Sequence, residues 1–516
     1  MSNRVDHLLR QARERGDKIA LHCDRQRITF AQLADRVRAT AAGLAKCGVQ
    51  QGTHVGIMIP STPEFIVVQQ ALFLLGAVIS PMNVFYRPNE VAHVVSSCDI
   101  AYLVMPEDLR DRAPRPDTDL PSLIAVIVID AAADDLPLRR RSLPVAMTSS
   151  DPVAIAEIAP NDVVMLLNTS ATTGKSKGVM LTATNLAENY DRTPAWLGLN
   201  GEDVILCALP LYNTFGLNQC INAMMVTGAT MVLLPRFDAK ACLDAIDRHH
   251  CTFLPAVPTM LQKMIDALTP GLTAMSSIRR IMTGGAPVPA ALLARVLAAA
   301  SPGAEVLTGY GLTEGTALVT LTPVRIGADG QVERGRTIGR VLDGMELAIR
   351  DEDGRILAAD AVGEIVVRGP NVMAGYYRAP EDTASAIADG WLLSGDLGYI
   401  DADGYAYIVD RKKDVIIRGG QNIYPADIEE VLYNVAGVAE AAVVAKPDDM
   451  FGEVPVAFVA LRAGSDLSTA FLIEHCRAEL ASYKVPYEVT VMPELPKGPT
   501  GKILRRALRP TPLVAS

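Results

Sequence analysis

The chain has 516 residues, of which 49% are hydrophobic and 21% are charged, and its formal net charge is −10. This length exceeds what one hydrophobic core supports, so we expect two or more domains. The acidic balance excludes a nucleic-acid-binding surface, which would need a basic face. The eight cysteines are scattered without a CxxC pair, a pattern typical of free thiols in the reducing cytoplasm. We expect no transmembrane segment and no secretory signal, because no apolar stretch is long enough and the first residues lack an apolar core.

Strand and helix patterns alternate from residue 28 to residue 81. A short strand pattern (ITF) leads into a helical pattern that ends at a glycine. The next stretches predict a strand, a helix and a strand in turn: HVGIMI, PEFIVVQQALFLLG and AVISPMN. A second alternating region covers residues 163–310, whereas residues 106–160 are rich in Pro, Asp and Arg and predict a loop-bearing insertion. The alternation predicts a largely parallel sheet covered by helices.

The last quarter of the chain differs in pattern. Residues 340–410 are rich in strand patterns and glycine turns, and a break is predicted near Asp410. Two strand patterns and the helical pattern LSTAFLIEHCRAELA follow, enough for a small domain. The predicted fold class is therefore α/β, with a large N-terminal domain of strand–helix units that carries a strand-rich subdomain (residues 1–410) and a small C-terminal α/β domain (residues 411–516).

The stretch NTSATTGKSKGVM, residues 168–180, is close to a Walker A phosphate loop but has Thr169 where that loop needs its first glycine. Residues 178–182 predict a second strand, whereas a helix follows a Walker loop. Hydroxyl groups, backbone N–H groups and lysines in a turn between strands can still bind a polyphosphate. An ordinary polar hairpin is the alternative. The candidate ATP-binding residues of this turn are Thr169, Ser170, Thr172, Thr173, Gly174, Lys175 and Lys177.

Seven further motifs follow this loop in chain order: PLYNTFG (210–216), GGAP (284–287), YGLTE (310–314), SGD (394–396), DRKKD (410–414), GGQNIYP (419–425) and PKGPTGK (496–502). With these motifs the chain resembles the adenylate-forming superfamily of acyl-CoA synthetases, luciferases and peptide-synthetase adenylation domains, and most closely the acyl-CoA synthetases. The resemblance implies that a carboxylic acid and ATP give acyl-AMP, and that the thiol of coenzyme A then displaces AMP. It also implies Mg2+ and a mobile C-terminal domain that serves both steps.

The resemblance implies three catalytic residues. Thr313 is expected to donate to the α-phosphate, and Glu314 to bind Mg2+, which prefers carboxylate oxygen. Lys502 is expected to bridge the substrate carboxylate and the α-phosphate, a role that suits an ammonium on a long flexible stem.

The resemblance also implies binding residues for the nucleotide, the thiol and the acid. Asp396 is expected to accept from the ribose hydroxyls beside Arg411, and Gly419 and Gly420 to line the passage of the thiol. Adenine is expected to lie between Tyr310 and the GGAP backbone. The residues implied for the adenine site are Gly285, Ala286, Pro287, Tyr310 and Gly311, and those implied for the acid are Tyr212, Asn213, Gly216 and Gly309.

Two departures from the superfamily pattern bear on activity. Ala171 stands where glycine is usual, and Asn213 where many acyl-CoA synthetases have histidine. No acidic residue near PLYNTFG could bind a substrate ammonium, so the expected substrate is a fatty or aromatic acid without an amino group. Three alternatives remain: a ligase that loads the thiol of a carrier protein, a homologue that binds nucleotide without turnover, and an ATP hydrolase, which the incomplete Walker pattern disfavours.

Overall fold

The structure is a computed structural model that describes residues 3–114, 118, 120–129, 140–143, 152–169, 176–268, 275–285, 288, 290–327, 332–334, 337–462, 464–497 and 503–509. Its contacts divide the chain into two compact units. The first comprises residues 1–346 and 367–392, and the second comprises residues 347–366 and 393–516. The domain boundary predicted after residue 410 stays a prediction.

Helices and strands alternate along the chain. The α-helices are α1 (Val5–Arg15), α2 (Phe30–Lys46), α3 (Pro63–Leu74), α4 (Pro88–Ser97), α5 (Ala183–Asn189), α6 (Thr193–Trp196), α7 (Thr214–Gly216), α8 (Ala223–Thr227), α9 (Ala239–His249), α10 (Pro258–Ala267), α11 (Ala290–Ala299), α12 (Pro380–Ala386), α13 (Pro425–Tyr433) and α14 (Thr469–Glu479). The strands are β1 (Ile19–Cys23), β2 (Gln26–Thr29), β3 (His54–Ile57), β4 (Val78–Pro81), β5 (Tyr102–Pro106), β6 (Ala125–Ile129), β7 (Arg140–Leu143), β8 (Val163–Thr169), β9 (Lys177–Thr182), β10 (Val204–Cys207), β11 (Thr230–Leu233), β12 (Phe253–Ala256), β13 (Arg280–Gly284), β14 (Glu305–Tyr310), β15 (Thr320–Pro323), β16 (Arg325–Ile326), β17 (Val332–Glu333), β18 (Thr337–Val341), β19 (Glu346–Arg350), β20 (Gly363–Arg368), β21 (Gly375–Tyr376), β22 (Ile387–Ala388), β23 (Trp391–Ile400), β24 (Ala406–Arg411), β25 (Ile416–Arg418), β26 (Gln421–Ile423), β27 (Val438–Asp448), β28 (Gly452–Leu461) and β29 (Glu488–Met492).

The first unit contains two largely parallel sheets. One has the strand order β21-β9-β8-β4-β3-β5-β6-β7, parallel from β8 to β7 and antiparallel at β9 and β21. The other has the order β18-β15-β14-β13-β12-β10-β11-β1-β2, parallel from β14 to β1. Parallel neighbours need crossover connections, which the intervening helices provide. The α/β prediction is therefore confirmed.

Helix α3 lies in the core of the first unit. Every residue of α3 except Glu64 is buried, and the helix packs against α1, α2, β3 and β4. A helix that is apolar on all sides is stable only where neighbours cover all of it. The sequence predicts the start of α3 at Pro63 and its end within two residues of Leu74, because proline opens the helix and a glycine closes it.

The segment 106–160 differs from the expected loop-bearing insertion. Within it, β6 and β7 extend the parallel sheet at the edge of β5. The β6 sequence AVIVI is a short, wholly buried apolar run, as in strands that are covered on both faces. The prediction of loop was wrong there because the Pro, Asp and Arg residues around this run dominate the local composition.

The second unit contains a five-stranded sheet in which β28 pairs with β25, β27 and β29, and β26 pairs with β25 at the edge. Helices α13 and α14 pack on it, and their buried residues join the strands in one apolar core that includes Ile428, Leu432, Val443, Val459 and Leu472. The hairpin of β23 and β24 also belongs largely to this unit.

Two further observations concern the whole described chain. Among its helices, none has the length and apolar character needed to cross a membrane. The eight cysteines all lie in the described ranges and form no disulfide with one another.

Candidate active site

Two antiparallel strands flank the candidate polyphosphate turn. β8 ends at Thr169 and β9 begins at Lys177, and these two residues are partners in the ladder. The helix α5 begins only after β9, at Ala183, with Thr182 as its N-cap. The flanking structure is therefore strand and strand, which excludes a Walker A site. Five of the predicted residues lie outside the described part of the chain: Ser170, Thr172, Thr173, Gly174 and Lys175.

Lys177, the first residue after this turn, is held by a segment that no sequence motif indicates. Its ammonium lies 2.5 Å from Asp382 Oδ1 and 5.2 Å from the centre of the Tyr376 ring. β21, which contains Tyr376, pairs with β9 in antiparallel register, so these contacts follow from sheet pairing. The Lys177 side chain is only one-quarter exposed, and its position is set by an ion pair and an aromatic face.

Glu314 lies in the YGLTE motif on a 3-10 turn, Thr313–Gly315. Its Oε1 accepts a hydrogen bond from Tyr376 Oη at 2.9 Å, and its backbone carbonyl accepts from the Met373 N–H at 2.8 Å. Burial, and then the negative charge of Glu314, raise the pKa of Tyr376 far above its usual range, so the phenol keeps its proton and donates. Sequence reasoning missed Tyr376, because no spacing rule relates residues 314 and 376.

The donor set at Glu314 fits Mg2+. Among the described residues, none donates a hydrogen bond to its second oxygen, Oε2, and no Lys or Arg forms an ion pair with it. A carboxylate with one oxygen held and the other available suits a hard cation that usually binds one or two carboxylates together with phosphate oxygens. Glu314 is therefore the residue that would hold the metal.

Glycines shape the backbone beside Glu314. Gly284 and Gly309 are partners at the carboxyl ends of parallel β13 and β14, and a Cβ on Gly284 would lie 2.7 Å from the Gly309 carbonyl oxygen. A Cβ on Gly311 would overlap the carbonyl oxygen of Ala317. Ligands bind outside the carboxyl ends of such strands, so this edge is a natural nucleotide site. Tyr310 ends β14 and is buried.

The predicted adenine site is only partly described. Gly285, which follows β13, has φ 80°, a conformation that favours glycine. Ala286 and Pro287 lie outside the described residues. The placement of adenine between the GGAP backbone and Tyr310 thus stays a prediction.

The PLYNTFG motif contacts Thr316, the residue that follows the turn Thr313–Gly315. Asn213 precedes α7, and a six-residue π-helix, Leu217–Asn222, follows. Thr214 Oγ1 donates to the Thr316 carbonyl at 3.4 Å and lies 2.7 Å from Tyr190 Oη. The predicted acid motif therefore lies within hydrogen-bond distance of Thr316, two residues after Glu314. Thr214 and Tyr190 were not predicted. Within the motif, Asn213 was singled out from the sequence, and Tyr190 lies outside the motif.

Tyr212 and Gly216 have distinct environments within this motif. The Tyr212 hydroxyl is buried and has no hydrogen-bond partner among the described residues, and burial raises its pKa to about 12. A Cβ on Gly216 would overlap the Pro210 carbonyl oxygen, so only glycine fits there. An unpartnered buried hydroxyl usually meets water or a ligand.

The second unit holds the predicted ribose residues. Asp396 and Arg411 are partners in the β23–β24 ladder, and Arg411 Nε lies 3.3 Å from Asp396 Oδ1. Glu364 supports the SGD turn: it accepts from the Gly395 N–H at 3.0 Å and from Lys412 Nζ at 3.1 Å. Asp396 is buried, while Arg411 is exposed over half its side chain. Glu364 was not predicted from the sequence.

Asp410 joins the DRKKD motif to helix α13. It is buried and accepts from the backbone N–H groups of Arg411, at 2.7 Å, and Ala426, at 2.9 Å. Ala426 is in the first turn of α13, so Asp410 caps that helix from outside its own segment. Burial raises the pKa of Asp410 to about 6, although both backbone bonds oppose the rise.

The predicted thiol passage begins with a strained turn. Gly419 and Gly420 have φ values of 56° and 82°. The Gly419 N–H donates to the Phe451 carbonyl at 2.8 Å, and the Arg418 guanidinium lies 4.3 Å from the Phe451 ring centre. This turn is therefore fixed by backbone pairing and by a cation–aromatic contact.

Lys502 lies outside the described residues. The two ends of its motif, residues 496–502, lie close together, because Lys497 forms an antiparallel β-bridge with Ile503, the residue after the motif. Lys497 also forms an ion pair with Glu440 at 2.6 Å. The catalytic role of Lys502 stays a prediction.

A small cavity of the first unit is lined by residues outside the eight motifs. It has a volume of about 50 Å3 and is lined in part by Arg4, His7 and Asp191. Arg4 and His7 lie 2.8 Å and 3.1 Å from Asp191, and although burial raises the pKa of Asp191, the two partners outweigh it and lower the pKa to about 2. Such a volume holds a few waters. The ion-pair cluster attaches α1 to the rest of the unit and does not form part of the candidate site.

Comparison with known proteins shows the family to which the chain belongs. Residues 8–377 match the family described as AMP-binding enzyme, and residues 427–502 match the AMP-binding enzyme C-terminal domain. The chain belongs to the AMP-binding enzyme family.

Individual relatives cover nearly the whole chain. The 3-[(3aS,4S,7aS)-7a-methyl-1,5-dioxo-octahydro-1H-inden-4-yl]propanoyl:CoA ligase of Rhodococcus jostii (strain RHA1) is 35% identical over 97% of this chain and 97% of its own. The 2-succinylbenzoate–CoA ligase of Bacillus cereus (strain ATCC 10987 / NRS 248) is 33% identical over 99% of both chains. The solved structure of O-succinylbenzoate coenzyme A synthetase from Bacillus subtilis, in complex with ATP and magnesium ion, matches with a TM-score of 0.81 and 30% identity over 97% of this chain and 98% of its own.

Proposed function

We propose that the protein is an AMP-forming acid–thiol ligase that converts a fatty or aromatic carboxylic acid, ATP and coenzyme A into acyl-CoA, AMP and pyrophosphate. One observation carries this proposal: two segments distant in sequence, residues 373–376 and the PLYNTFG motif, meet at the turn Thr313–Gly315 and its next residue. Tyr376 donates to Glu314, Met373 donates to the Glu314 backbone, and Thr214 donates to Thr316. The predicted acid motif thus contacts Thr316, two residues after the predicted metal carboxylate, and the carboxylate itself accepts from Tyr376 on β21, which pairs with the strand that follows the polyphosphate turn.

In the first half-reaction, an oxygen of the substrate carboxylate forms a bond to the α-phosphorus of ATP, and the bond from that phosphorus to the bridging oxygen breaks, releasing pyrophosphate. Glu314 would hold Mg2+, which supplies positive charge to the phosphate oxygens when bound. Thr313 donates to the α-phosphate, and Lys177 offsets phosphate charge at the exit of the turn. Lys502 is proposed to bridge the carboxylate and the α-phosphate.

In the second half-reaction, the sulfur of coenzyme A bonds to the acyl carbon, the acyl–phosphate bond breaks, and AMP leaves with its electron pair while the thiol proton passes to solvent. Gly419 and Gly420 are proposed to line the path of that thiol. Asp396 and Arg411 are proposed to bind the ribose hydroxyls, which offer donors to a buried carboxylate. We propose the cytoplasm as the location, where thiols without disulfides are stable.

We propose that the substrate is a carboxylic acid without an amino group, because the acid motif offers no carboxylate to pair with a substrate ammonium. Among the described residues of PLYNTFG there is no carboxylate to meet a substrate ammonium. The relatives act on a bicyclic propanoate and on 2-succinylbenzoate, according to their names. The acids to test first are therefore medium and long fatty acids, substituted benzoates and bicyclic keto acids.

The direct experiment mixes the full chain with ATP, Mg2+, coenzyme A and this panel of acids, and uses mass spectrometry to detect acyl-AMP and acyl-CoA. We expect acyl-CoA from one class of acid, and loss of acyl-AMP in Lys502→Ala. Acyl-AMP without acyl-CoA would identify a carrier-protein thiol as the acceptor. Nucleotide binding without either product across the panel would contradict the ligase assignment, and free phosphate released without an acid would indicate a hydrolase.

A further inference from the structure

Tyr376 lies in the segment GYY, residues 375–377, which belongs to none of the eight sequence motifs. Its backbone is nevertheless placed by three constraints. β21 pairs with β9, so that Tyr376 is opposite Val179, and the Tyr376 N–H donates to Thr383 Oγ1 at 2.9 Å. Gly375 has φ 133°, and a Cβ there would lie 2.7 Å from Thr383 Cγ2, so the segment needs glycine. The position of the phenol is therefore fixed before any ligand binds.

The phenol makes two contacts with predicted ATP-site residues. Its hydroxyl donates to Glu314 Oε1 at 2.9 Å, and its ring centre lies 5.2 Å from Lys177 Nζ. Glu314 and Lys177 are 137 positions apart in the sequence. Tyr376 is thus the side chain that touches both the candidate metal carboxylate and the cation at the exit of the polyphosphate turn.

The cation beside Tyr376, Lys177, pairs with a carboxylate other than Glu314, and this arrangement favours a metal at Glu314. The Lys177 ammonium pairs with Asp382 Oδ1 at 2.5 Å, while no described Lys or Arg pairs with Glu314. Because Lys177 has its own carboxylate, the charge of Glu314 stays available. Meanwhile the Tyr376 hydrogen bond to Oε1 limits rotation of the carboxylate and leaves Oε2 without a described donor.

We propose that Tyr376 is a positioning residue that orients the Glu314 carboxylate toward Mg2+ and sets the Lys177 side chain beside it. The inference rests on the proposed function, since it assumes a Mg2+-dependent nucleotide at Glu314. Partners that orient a metal ligand through a hydrogen bond typically contribute about 10- to 100-fold in metal affinity. Removal of the hydroxyl alone is therefore expected to weaken the binding of Mg2+, while the aromatic ring still contacts Lys177.

The test compares three proteins: the natural chain, Tyr376→Phe and Tyr377→Phe. Tyr377 is a matched control, because its hydroxyl also donates to a carboxylate, Asp99 Oδ2, at 2.9 Å, and Asp99 belongs to none of the predicted site residues. Electron paramagnetic resonance would measure the binding of Mn2+ to each protein in the presence of α,β-methylene-ATP, which cannot release pyrophosphate.

We expect Tyr376→Phe to bind Mn2+ about 10-fold more weakly, with Tyr377→Phe equal to the natural chain. The Mg2+ concentration that half-saturates acyl-AMP formation should rise by a similar factor, with kcat recovered at high Mg2+. Equal Mn2+ affinity in Tyr376→Phe and the natural chain would overturn the proposal, as would a natural chain that binds no Mn2+ with the analogue. If Mn2+ binding weakens in Tyr376→Phe although no acid yields acyl-AMP, the positioning role stands and the ligase assignment fails.

Discussion

Arg411 and Asp396 face each other across the β23–β24 ladder, with Arg411 Nε 3.3 Å from Asp396 Oδ1. The arginine approaches from the solvent side and orients a carboxylate that is itself buried. If Asp396 accepts from ribose, Asp396→Asn should weaken AMP binding about 10- to 100-fold, because hydrogen bonds to a charged group contribute about 1.5–3 kcal/mol. Isothermal titration calorimetry with AMP measures this change.

The control for that substitution is Asp403→Asn, in the exposed turn of the same hairpin. It makes the same chemical change without altering the ladder pair. Equal AMP affinity in Asp396→Asn and Asp403→Asn would remove Asp396 from the nucleotide site.

Asp410 should make stability depend on pH. Its pKa is raised from 3.8 to about 6 in the folded state, mainly by burial. Between these values the folded chain binds a proton that the unfolded chain does not, so the free energy of unfolding falls as the pH rises through this window. The loss amounts to about 3 kcal/mol when the shift is converted to free energy.

Asp410→Asn cannot ionise and lacks this dependence, although it also loses one of the two side-chain oxygens that accept from backbone N–H groups. We therefore expect the natural chain to lose stability relative to Asp410→Asn between pH 4 and pH 7, as measured by denaturant unfolding at several pH values. A difference between the two proteins that does not vary with pH would show that Asp410 is ionised throughout the window.

Gly311 should tolerate no side chain. Because a Cβ at this position would overlap the Ala317 carbonyl, Gly311→Ala must displace the turn that carries Glu314. A displacement of this kind near reacting groups is expected to lower the rate of acyl-AMP formation about 100-fold. Gly52→Ala is the control, since Gly52 has φ 77° but open space around its Cα and should cost only about 1 kcal/mol of stability. Similar rates of acyl-AMP formation in both variants would show that the turn tolerates a side chain at position 311.

Tyr212→Phe should raise thermal stability. The Tyr212 hydroxyl is buried without a described partner, and such a group costs about 1–3 kcal/mol of desolvation. We expect a higher Tm for the ligand-free variant, measured by calorimetry, and a higher KM for the acid if the hydroxyl binds it. A lower Tm would mean that an ordered water or another partner already satisfies the hydroxyl.

The sequence predicts most local structure of the first unit, because local rules govern it. The order of β3, α3 and β4 follows from the spacing of apolar residues, from the proline that opens α3 and from the glycine that closes it. The start of α5 at Ala183 and the strand character of β9 also follow from adjacent residues. β6 was missed because an apolar run of five residues is too short to outweigh its surroundings.

The candidate site is less accessible to sequence reasoning. Motif order indicates Glu314, Lys177 and Asp396, but not the residues that hold them. Tyr376 and Glu364 contact their partners only because strand pairing brings distant segments together, and neither belongs to a motif with a mechanism of its own. A single sequence carries no local signal for such pairs.

The π-helix Leu217–Asn222 has a consequence for how this protein could acquire a different acid. A π turn accommodates one residue more than an α turn, so loss of one residue from this segment would restore an ordinary helix. Because the π turn absorbs its additional residue locally, the residues before and after it would keep their relative orientation. Thr214 would keep its contact with the Thr316 carbonyl, and α8 would stay in the core. A one-residue deletion here would thus change the packing of Leu217–Asn222 alone, and we propose that a different acid could be accommodated in this way without moving Thr214.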